Sequence, residues 1–375
     1  MPWPPVNGYK AKLSGFLAHL RGDWDLIFGD DGSSSVPAWM RQSAGALVPV
    51  QVQAFRRFRA LTTGVLPSNA RLPWSDVAPH VEQLLDDGAE YDVAHLDTFS
   101  MAHLAQPMSS LFAERRRTTK IVCSPNDSYS LLLKSDPTIK RRVQSRVARL
   151  FESRFYRHAD FVDVVSTRDV TWLRGGITNT EVRLIPLGVD VRVFQGPRPT
   201  PRWDVLYVGG TSGVETWVRI LVDAVLPQVK AMIPGLRVAL AGPRPHKWLS
   251  DQCRSHGWAH LGFVEDLPNL LRSSRMLVVP SGQLSGTPTK ALEAMAAGTP
   301  VVGMQMLDGI VNGRDGVSYA RASNWSELVE RMNRVLSDDL YANRLAKGGR
   351  SLVKHEHDWA SVVRKYFLFP DVPSL

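Results

Sequence analysis

One segment of the sequence, residues 279–302, carries residue types that could bind a nucleoside diphosphate. A short apolar strand is followed by a loop rich in glycine and serine and then by a helix that begins near Thr289. Free N–H groups and the dipole at a helix start attract phosphate, and Lys290, in the first turn, can reach the same anion. Glu293 lies one turn further on the same face, where a carboxylate can accept both hydroxyls of a ribose.

The loop before this helix supports the same interpretation. Gly286 lets the backbone approach a ligand closely, and the Thr287 hydroxyl can add a hydrogen bond. A second interpretation is equally open from these residues alone: the segment is a plain crossover from loop to helix, and Glu293 simply pairs with Lys290. The residue types therefore indicate a nucleotide site without deciding for it.

The elements that would position this segment alternate between short β-branched strands and longer amphipathic helices. Such alternation predicts an α/β fold with parallel sheets covered by helices. A proline-rich stretch at residues 195–202 is typical of a linker, so we expect an N-terminal unit of residues 1–194 and a C-terminal unit of residues 203–354. Two Rossmann-like units joined in this way would face each other across a cleft at the carboxyl ends of their strands, where such sheets bind ligands.

The first residues depart from this scheme. A turn at residues 3–8 is followed by a helical stretch at Tyr9–His19, and no strand is recognisable before the turn. A Rossmann-like unit normally begins with a strand. We therefore expect an N-terminal sheet without its first strand, or a sequence whose start is misassigned.

Composition restricts the class of protein. The chain has 375 residues, of which 44% are hydrophobic and 22% charged, as in ordinary globular proteins. No apolar run reaches the roughly 18–20 residues of a membrane span. Two cysteines, Cys123 and Cys253, are too few for a disulfide framework or a Cys-based zinc site. We expect a cytoplasmic protein. At most, it would bind peripherally to the inner face of a membrane.

The net charge of +9 favours anionic partners: nucleotide phosphates, anionic lipid headgroups or nucleic acid. One basic cluster falls within a single predicted helix and comprises Lys140, Arg141, Arg142, Arg146 and Arg149. Such a cluster is either a solvated helix face or a patch that faces lipid or another polyanion. No nucleic-acid-reading motif is present, so nucleic acid is the weaker expectation.

The pattern Gly286-Thr-Pro-Thr-Lys290-Ala-Leu-Glu293-Ala-Met-Ala-Ala-Gly298 resembles the donor-site signature of retaining glycosyltransferases of family 4, which have the GT-B fold. It is most similar to a bacterial subgroup (glycosyl transferases group 1) whose loop reads Gly-Gly-Gly-Thr-x-x-Lys. Ser285 occupies the position where many members of the family, but not this subgroup, carry an acid. Further motifs extend the resemblance over most of the chain, at residues 184–190, 205–210, 238–243 and 261–268.

This resemblance implies an enzyme that transfers a hexosyl or related group from a nucleoside diphosphate sugar, such as a UDP-sugar, with retention of the anomeric configuration. It implies no metal and no cofactor. The residues implied to bind the donor are Gly209, Gly210, Phe263, Ser285, Gly286, Thr287, Lys290 and Glu293.

The resemblance also implies residues on the acceptor side. Asn7 and Gly8 match an N-terminal glycine loop, and Asn126 follows a strand at its carboxyl end. His95 and Asp97 lie on the strand that carries a cleft histidine in the family, and they join Lys290 as the expected catalytic side chains. Residues 355–369 resemble a tail helix that packs back on the N-terminal domain.

The expected role is the synthesis of a surface or extracellular polysaccharide on a glycan or lipid-linked acceptor. Two alternatives remain open. The acceptor could be a protein, a small molecule or modified DNA, or the chain could be a non-catalytic scaffold that binds nucleotide sugars. The retained Lys290 and Glu293 argue against the scaffold.

Overall fold

The computed structural model describes residues 8–20, 22–30, 36–52, 72–136, 138–210, 216–243 and 246–366. The chain divides into two units, one formed by Met1–Ile185 with Val363–Leu375 and the other by Pro186–Val362. Both are α/β layers with parallel strands, as the alternation in the sequence predicts. None of the helices among the described residues is both long enough and apolar enough to span a membrane.

The first unit contains two parallel sheets. A two-stranded sheet pairs β1 (Leu26–Asp30) with β2 (Leu47–Gln51), and a four-stranded sheet has the order β3-β4-β5-β6. These four strands are β3 (Val93–Asp97), β4 (Lys120–Asn126), β5 (Phe161–Val164) and β6 (Glu181–Leu184). Any strand before Gly8 would lie outside the described residues, so the expected loss of the first strand stays a prediction.

Three helices of the first unit begin at a residue whose side chain caps them. Ser128, Thr138 and Ser166 each accept a backbone N–H bond at a helix start, which satisfies a donor that the helix itself cannot. The helices are α1 (Gly8–His19), α2 (Ala38–Ser43), α3 (Trp74–Asp86), α4 (Ala105–Glu114), α5 (Tyr129–Lys134), α6 (Ile139–Tyr156) and α7 (Thr167–Arg174), with a 3₁₀ turn at Phe99–Leu104. Several pack on an apolar sheet face, and the thiol of Cys123 is part of that core.

The second unit is built on one six-stranded parallel sheet. Its order is β9-β8-β7-β10-β11-β12, so the strand order reverses between β7 and β10. The strands are β7 (Trp203–Val208), β8 (Val238–Ala241), β9 (Ala259–Gly262), β10 (Ser274–Val279), β11 (Val301–Gly303) and β12 (Ala320–Arg321). Ligands of open parallel sheets bind at such a reversal, outside the carboxyl ends of the strands.

The helices of the second unit cover this sheet and enclose its apolar core. They are α8 (Val191–Phe194), α9 (Thr216–Ile220), α10 (Leu226–Met232), α11 (Lys247–His256), α12 (Leu267–Arg272), α13 (Thr289–Ala296), α14 (Trp325–Ser337) and α15 (Asp339–Leu352). A 3₁₀ turn at Gln305–Gly309 and π turns at Leu221–Val225 and Val353–His357 complete the set. The last helix, α16 (Trp359–Tyr366), contains the second division between the units.

The structure divides the chain at Ile185, whereas the sequence predicted a boundary at residue 194 and a linker at residues 195–202. The difference has a physical cause, because Val189 donates its N–H to the carbonyl of His357 (2.7 Å) within the second unit. The predicted linker is held to the same unit by Arg198, which donates to the carbonyls of Gly298 and Ser274 (2.7 Å each). The predicted tail is also divided, and its described part from residue 363 is grouped with the first unit.

Candidate functional site

The predicted donor residues lie around the strand reversal of the second unit. β7 is followed by Gly209 and Gly210, and the neighbouring β10 is followed by the loop that leads to α13. The N–H of Gly209 donates to the carbonyl of Ala241 (3.0 Å), and the Tyr207 hydroxyl donates to the carbonyl of Gly210 (3.3 Å). A side chain at Gly209 would meet the Tyr207 hydroxyl, which would have to shift to make room.

The loop between β10 and α13 is preformed by its own hydrogen bonds. Gly286 has a φ of 80°, a conformation that side chains rarely tolerate. The buried Thr287 donates its hydroxyl to the carbonyl of Gly309 (2.7 Å), and the Gln283 amide donates to the carbonyl of Ser285 (3.0 Å). The Thr287 hydroxyl therefore helps to hold the loop in place in this structure, and its predicted contact with a phosphate stays a prediction.

Helix α13 begins after Pro288 without a side-chain cap, as expected of a helix start that is to meet an anion. Its Glu293 is 8% exposed, and the Lys290 ammonium donates to Oε2 of this carboxylate at 2.7 Å. Burial raises the pKa of Glu293 above its ordinary value, and the positive charge of Lys290 opposes that shift. The structure thus holds a desolvated carboxylate and a half-exposed ammonium one turn apart.

Phe263, the remaining predicted donor residue, lies apart from this loop in the sheet. It follows β9, the edge strand, and its side chain is 66% exposed. β9 is separated from β7 by β8. The structure therefore places Phe263 at the carboxyl end of the same sheet but not beside the strand reversal.

The predicted acceptor-side residues belong to the first unit and share one face of its four-stranded sheet. His95 lies in the middle of β3 and Asp97 at its end, so both point to the same side. Helix α1 covers that side: Phe16 stacks on the His95 ring with centroids 5.2 Å apart, and Lys12 lies 3.5 Å from Asp97 Oδ1. Among the described residues, His95 Nε2 has no hydrogen-bond partner.

Sequence reasoning missed Lys12. Its side chain is 3% exposed and its ammonium donates to the Ser124 hydroxyl at 3.0 Å. Burial lowers the pKa of Lys12, but Tyr366 and the charge of Asp97 raise it further, so the net shift is upward. The pKa of His95 is lowered, chiefly by burial. The only sequence signal would have been a lysine on the inner face of the first helix, and its partners lie far along the chain.

A second polar pair lies on the same sheet face. Arg183 on β6 donates two hydrogen bonds to the buried carboxylate of Asp163 on β5, at 2.7 and 2.8 Å. The Arg183 guanidinium also lies over the Phe161 ring, 4.4 Å from its centroid. This face of the sheet therefore carries buried charged side chains together with the apolar Val122 and Phe161.

The carboxyl end of β4 carries the third acceptor-side prediction. Asn126 has a φ of 73°, and its Oδ1 is buried without a hydrogen-bond partner among the described residues. The next residue, Asp127, has its pKa raised to about 7 by burial and by the charge of Asp169. Of the predicted N-terminal loop, Gly8 is the first residue of α1, and Asn7 lies outside the described residues.

No group of three or more His, Cys, Asp and Glu side chains in the described part of the chain could hold a metal ion. The donor residues that the structure assembles are thus Lys290, Glu293 and backbone at the strand reversal. In the other unit, Asp97 and Asn126 end β3 and β4, and His95 lies two residues before Asp97. Two Rossmann-like units, one with a phosphate-attracting helix start at its strand reversal, define the GT-B class of glycosyltransferases.

Comparison with known proteins agrees with this class. The model for glycosyltransferase family 4 matches residues 37–193, and the model for glycosyl transferases group 1 matches residues 202–338. No curated protein matches the chain. These two matches, one in each half, together with the fold, identify the chain as a GT-B glycosyltransferase similar to family 4.

Solved structures share the fold over nearly the whole chain. A sucrose-phosphate synthase from Thermosynechococcus elongatus is 15% identical, with 92% of this chain and 97% of that chain covered and a TM-score of 0.66. HepE from Anabaena, solved in complex with UDP, is 17% identical, with coverage of 91% and 90% and a TM-score of 0.65. WaaG, a glycosyltransferase involved in lipopolysaccharide biosynthesis, is 13% identical, with coverage of 96% and 95% and a TM-score of 0.65.

Proposed function

We propose that this glycosyltransferase moves a hexosyl group from a UDP-sugar to a glycan or lipid-linked acceptor with retention of the anomeric configuration. The observation that carries the proposal is the buried Glu293 with Lys290 at the uncapped start of α13, beside the strand reversal. HepE, which shares the fold, was solved with UDP and with UDP-glucose, and this favours uridine as the base.

The proposed chemistry rests on stabilising the diphosphate that leaves. Negative charge develops on its oxygens as the glycosidic bond breaks, and preorganised donors at that position lower the barrier. The ammonium of Lys290 and the first N–H groups of α13 supply such donors, and Gly286 lets the backbone approach. The carboxylate of Glu293 accepts hydrogen bonds from the ribose hydroxyls, so the nucleoside is fixed while the diphosphate leaves. The reaction as proposed uses neither a metal ion nor a cofactor.

On the acceptor side, we assign sugar contacts to His95, Asp97 and Asn126. Polar atoms that are buried without partners are costly, and they persist where a ligand completes them. His95 Nε2 and Asn126 Oδ1 are such atoms within the described residues. Because burial lowers the pKa of His95, its ring is neutral near pH 7 and can donate or accept one hydrogen bond. Asn7 and Gly8 would border the same acceptor.

The proposed role is the synthesis of a surface or extracellular glycan at the cytoplasmic side of a membrane. WaaG, which acts in lipopolysaccharide biosynthesis, has the same fold, and the basic net charge of +9 suits an anionic membrane. A lipid-linked acceptor would bring substrate and membrane to the same enzyme.

The test is the turnover of UDP-glucose and related donors, with UDP release and the configuration of the first sugar product followed by NMR. We expect the product to have the donor's configuration. Lys290→Gln should slow release about a hundredfold, as loss of one charge-stabilising donor typically does. Lys347→Gln, at an exposed lysine of α15, is the matched control. An inverted first product would contradict retention, and full activity in Lys290→Gln would contradict the assigned role of the lysine.

A further inference from the structure

Helix α6 exposes a stripe of apolar side chains to solvent. Ile139 is 81% exposed, Val143 54%, Val147 41% and Leu150 71%. Their spacing of four, four and three residues places them on one side of the helix. A soluble helix normally turns such a stripe toward its own core, so a stripe that faces water indicates a binding surface.

The core of the first unit does not need these side chains. The buried residues of α6 follow the same helical period on the opposite side, at about 180° from the stripe. They are Ser145, Ala148, Glu152, Phe155 and Tyr156. The helix is therefore already anchored, and its apolar stripe is additional to what folding requires.

The charges of α6 are of one sign on its accessible side. Its only acid, Glu152, is 1% exposed and accepts hydrogen bonds from Ser128 and Ser130 (3.0 Å each), so it does not offset the cations outside. Arg149 is occupied by the Trp172 ring, 4.3 Å from its centroid, and Arg141 lies 3.8 Å from Asp136. The exposed cations beside the stripe include Lys140, Arg142 and Arg146.

We propose that α6 docks on the surface of an anionic lipid bilayer. The apolar stripe would enter the boundary between headgroups and acyl chains, and the cations on its flanks would bind lipid phosphates, as in amphipathic interfacial helices. A second copy of the chain is a poor occupant, because two such helices would bring their uncompensated cations together. This proposal assigns a surface to the membrane contact suggested above. It does not depend on nucleotide binding, so membrane docking and the proposed transferase activity can fail separately.

The experiment is sedimentation of the full chain with vesicles, without any nucleotide. Vesicles of phosphatidylcholine alone are compared with vesicles that also contain phosphatidylglycerol. We expect binding to the anionic vesicles, weakened by added salt, and little binding to the neutral ones. Equal binding to both, or no binding to either, would overturn the proposal.

Two double variants separate the contributions of the stripe and the charges. The variant Arg142→Gln/Arg146→Gln should weaken binding about tenfold or more, since each basic residue near the surface contributes about fivefold. The variant Ile139→Gln/Leu150→Gln should also weaken binding about tenfold or more, because two apolar side chains no longer enter the bilayer. The controls are Leu340→Gln and Arg254→Gln, at positions with side chains 84% and 82% exposed in the second unit. Circular dichroism confirms that every variant is folded.

Two further outcomes would count against the bilayer. If the affinity of the Ile139→Gln/Leu150→Gln variant for vesicles equals that of the original chain, the contact is adsorption by charge alone. If the original chain is a dimer in the ultracentrifuge and this variant is a monomer, the stripe is covered by a second copy. Loss of vesicle binding in both double variants, with both controls unchanged, supports the proposal.

Discussion

Among single residues, Asp127 shows most directly what burial does to a charge. It follows β4 at the carboxyl end of the sheet, and desolvation together with the charge of Asp169 raises its pKa to about 7, although Lys12 opposes the shift. The folded chain therefore holds this proton more tightly than the unfolded chain, whose carboxyl titrates near its ordinary value of about 4. Folding is then weakened as the pH rises from about 4 to about 7.

Asp127→Asn should remove this penalty, because the amide resembles the protonated acid. We expect the variant to gain stability over the original chain at pH 8 and to gain less at pH 5, with thermal unfolding at both pH values as the measurement. Asp136→Asn is the control, because a hydrogen bond from Thr138 lowers the pKa of that exposed carboxyl and no gain at pH 8 should follow. A gain for Asp127→Asn that is equal at the two pH values would contradict the account.

Glu293 and Lys290 show what a sequence can reveal at this scale. Three residues apart on a helix, they were expected to share a face, and the structure joins them at 2.7 Å. Contact between the two side chains agrees with both interpretations of the sequence, the nucleotide site and the simple ion pair at a loop-to-helix crossover. The burial of Glu293 at the strand reversal favours the nucleotide site, because a lone surface pair would not need a desolvated carboxylate.

At the scale of elements, local signals predicted an alternation of strands and helices, which the structure has. β10, its glycine-rich loop and α13 were all recognised, since each boundary carries its own glycine or proline. β2 was missed because Pro49 lies within it, and proline is uncommon in strands except at edges.

Helix α15 offers a test in which packing opposes helix propensity. Replacing glycine by alanine inside a helix usually stabilises it by about 0.5–1 kcal/mol. At Gly348, however, the added methyl group would collide with the backbone carbonyl of Val317, which cannot move as a flexible side chain could. We expect Gly348→Ala to destabilise the chain by about 1–3 kcal/mol in chemical unfolding.

The neighbouring Lys347→Ala, at an exposed position of α15, is the control and should change little. A net stabilisation by Gly348→Ala would show that α15 does not pack against residue 317 as closely as the structure indicates. Because the two variants lie side by side on one helix, the comparison isolates the steric contact from helix propensity.

At the scale of the whole molecule, the two functional groups differ in how far the sequence could predict them. The donor side depends largely on one continuous segment, residues 280–293, so its residue types and spacing were readable in the sequence. The side chains proposed for the acceptor side, with the groups that contact them, come from α1, β3, β4 and α16, which are distant in sequence. Lys12 and Tyr366 could not be found there, because their partners are set by tertiary packing.

The division of the chain shows the same limit. Prolines at residues 195–202 predicted an extended linker, and hydrogen bonds from Arg198 and Arg272 fasten this stretch to the second unit. Local composition revealed the extended backbone and not what it contacts. The α/β class, by contrast, followed from the alternation of strands and helices, and the GT-B fold that the resemblance implied is confirmed.

The central claim is that Glu293 binds the ribose of a nucleoside diphosphate donor, and calorimetric titration with UDP tests it most directly. We expect the original chain to bind UDP and Glu293→Gln to bind it about ten- to a hundredfold more weakly, since hydrogen bonds to a charged acceptor are worth about 1.5–3 kcal/mol. Glu330→Gln, at an exposed glutamate of α14, should bind UDP like the original chain. Equal affinity in Glu293→Gln and the original chain, with both proteins folded, would contradict the account.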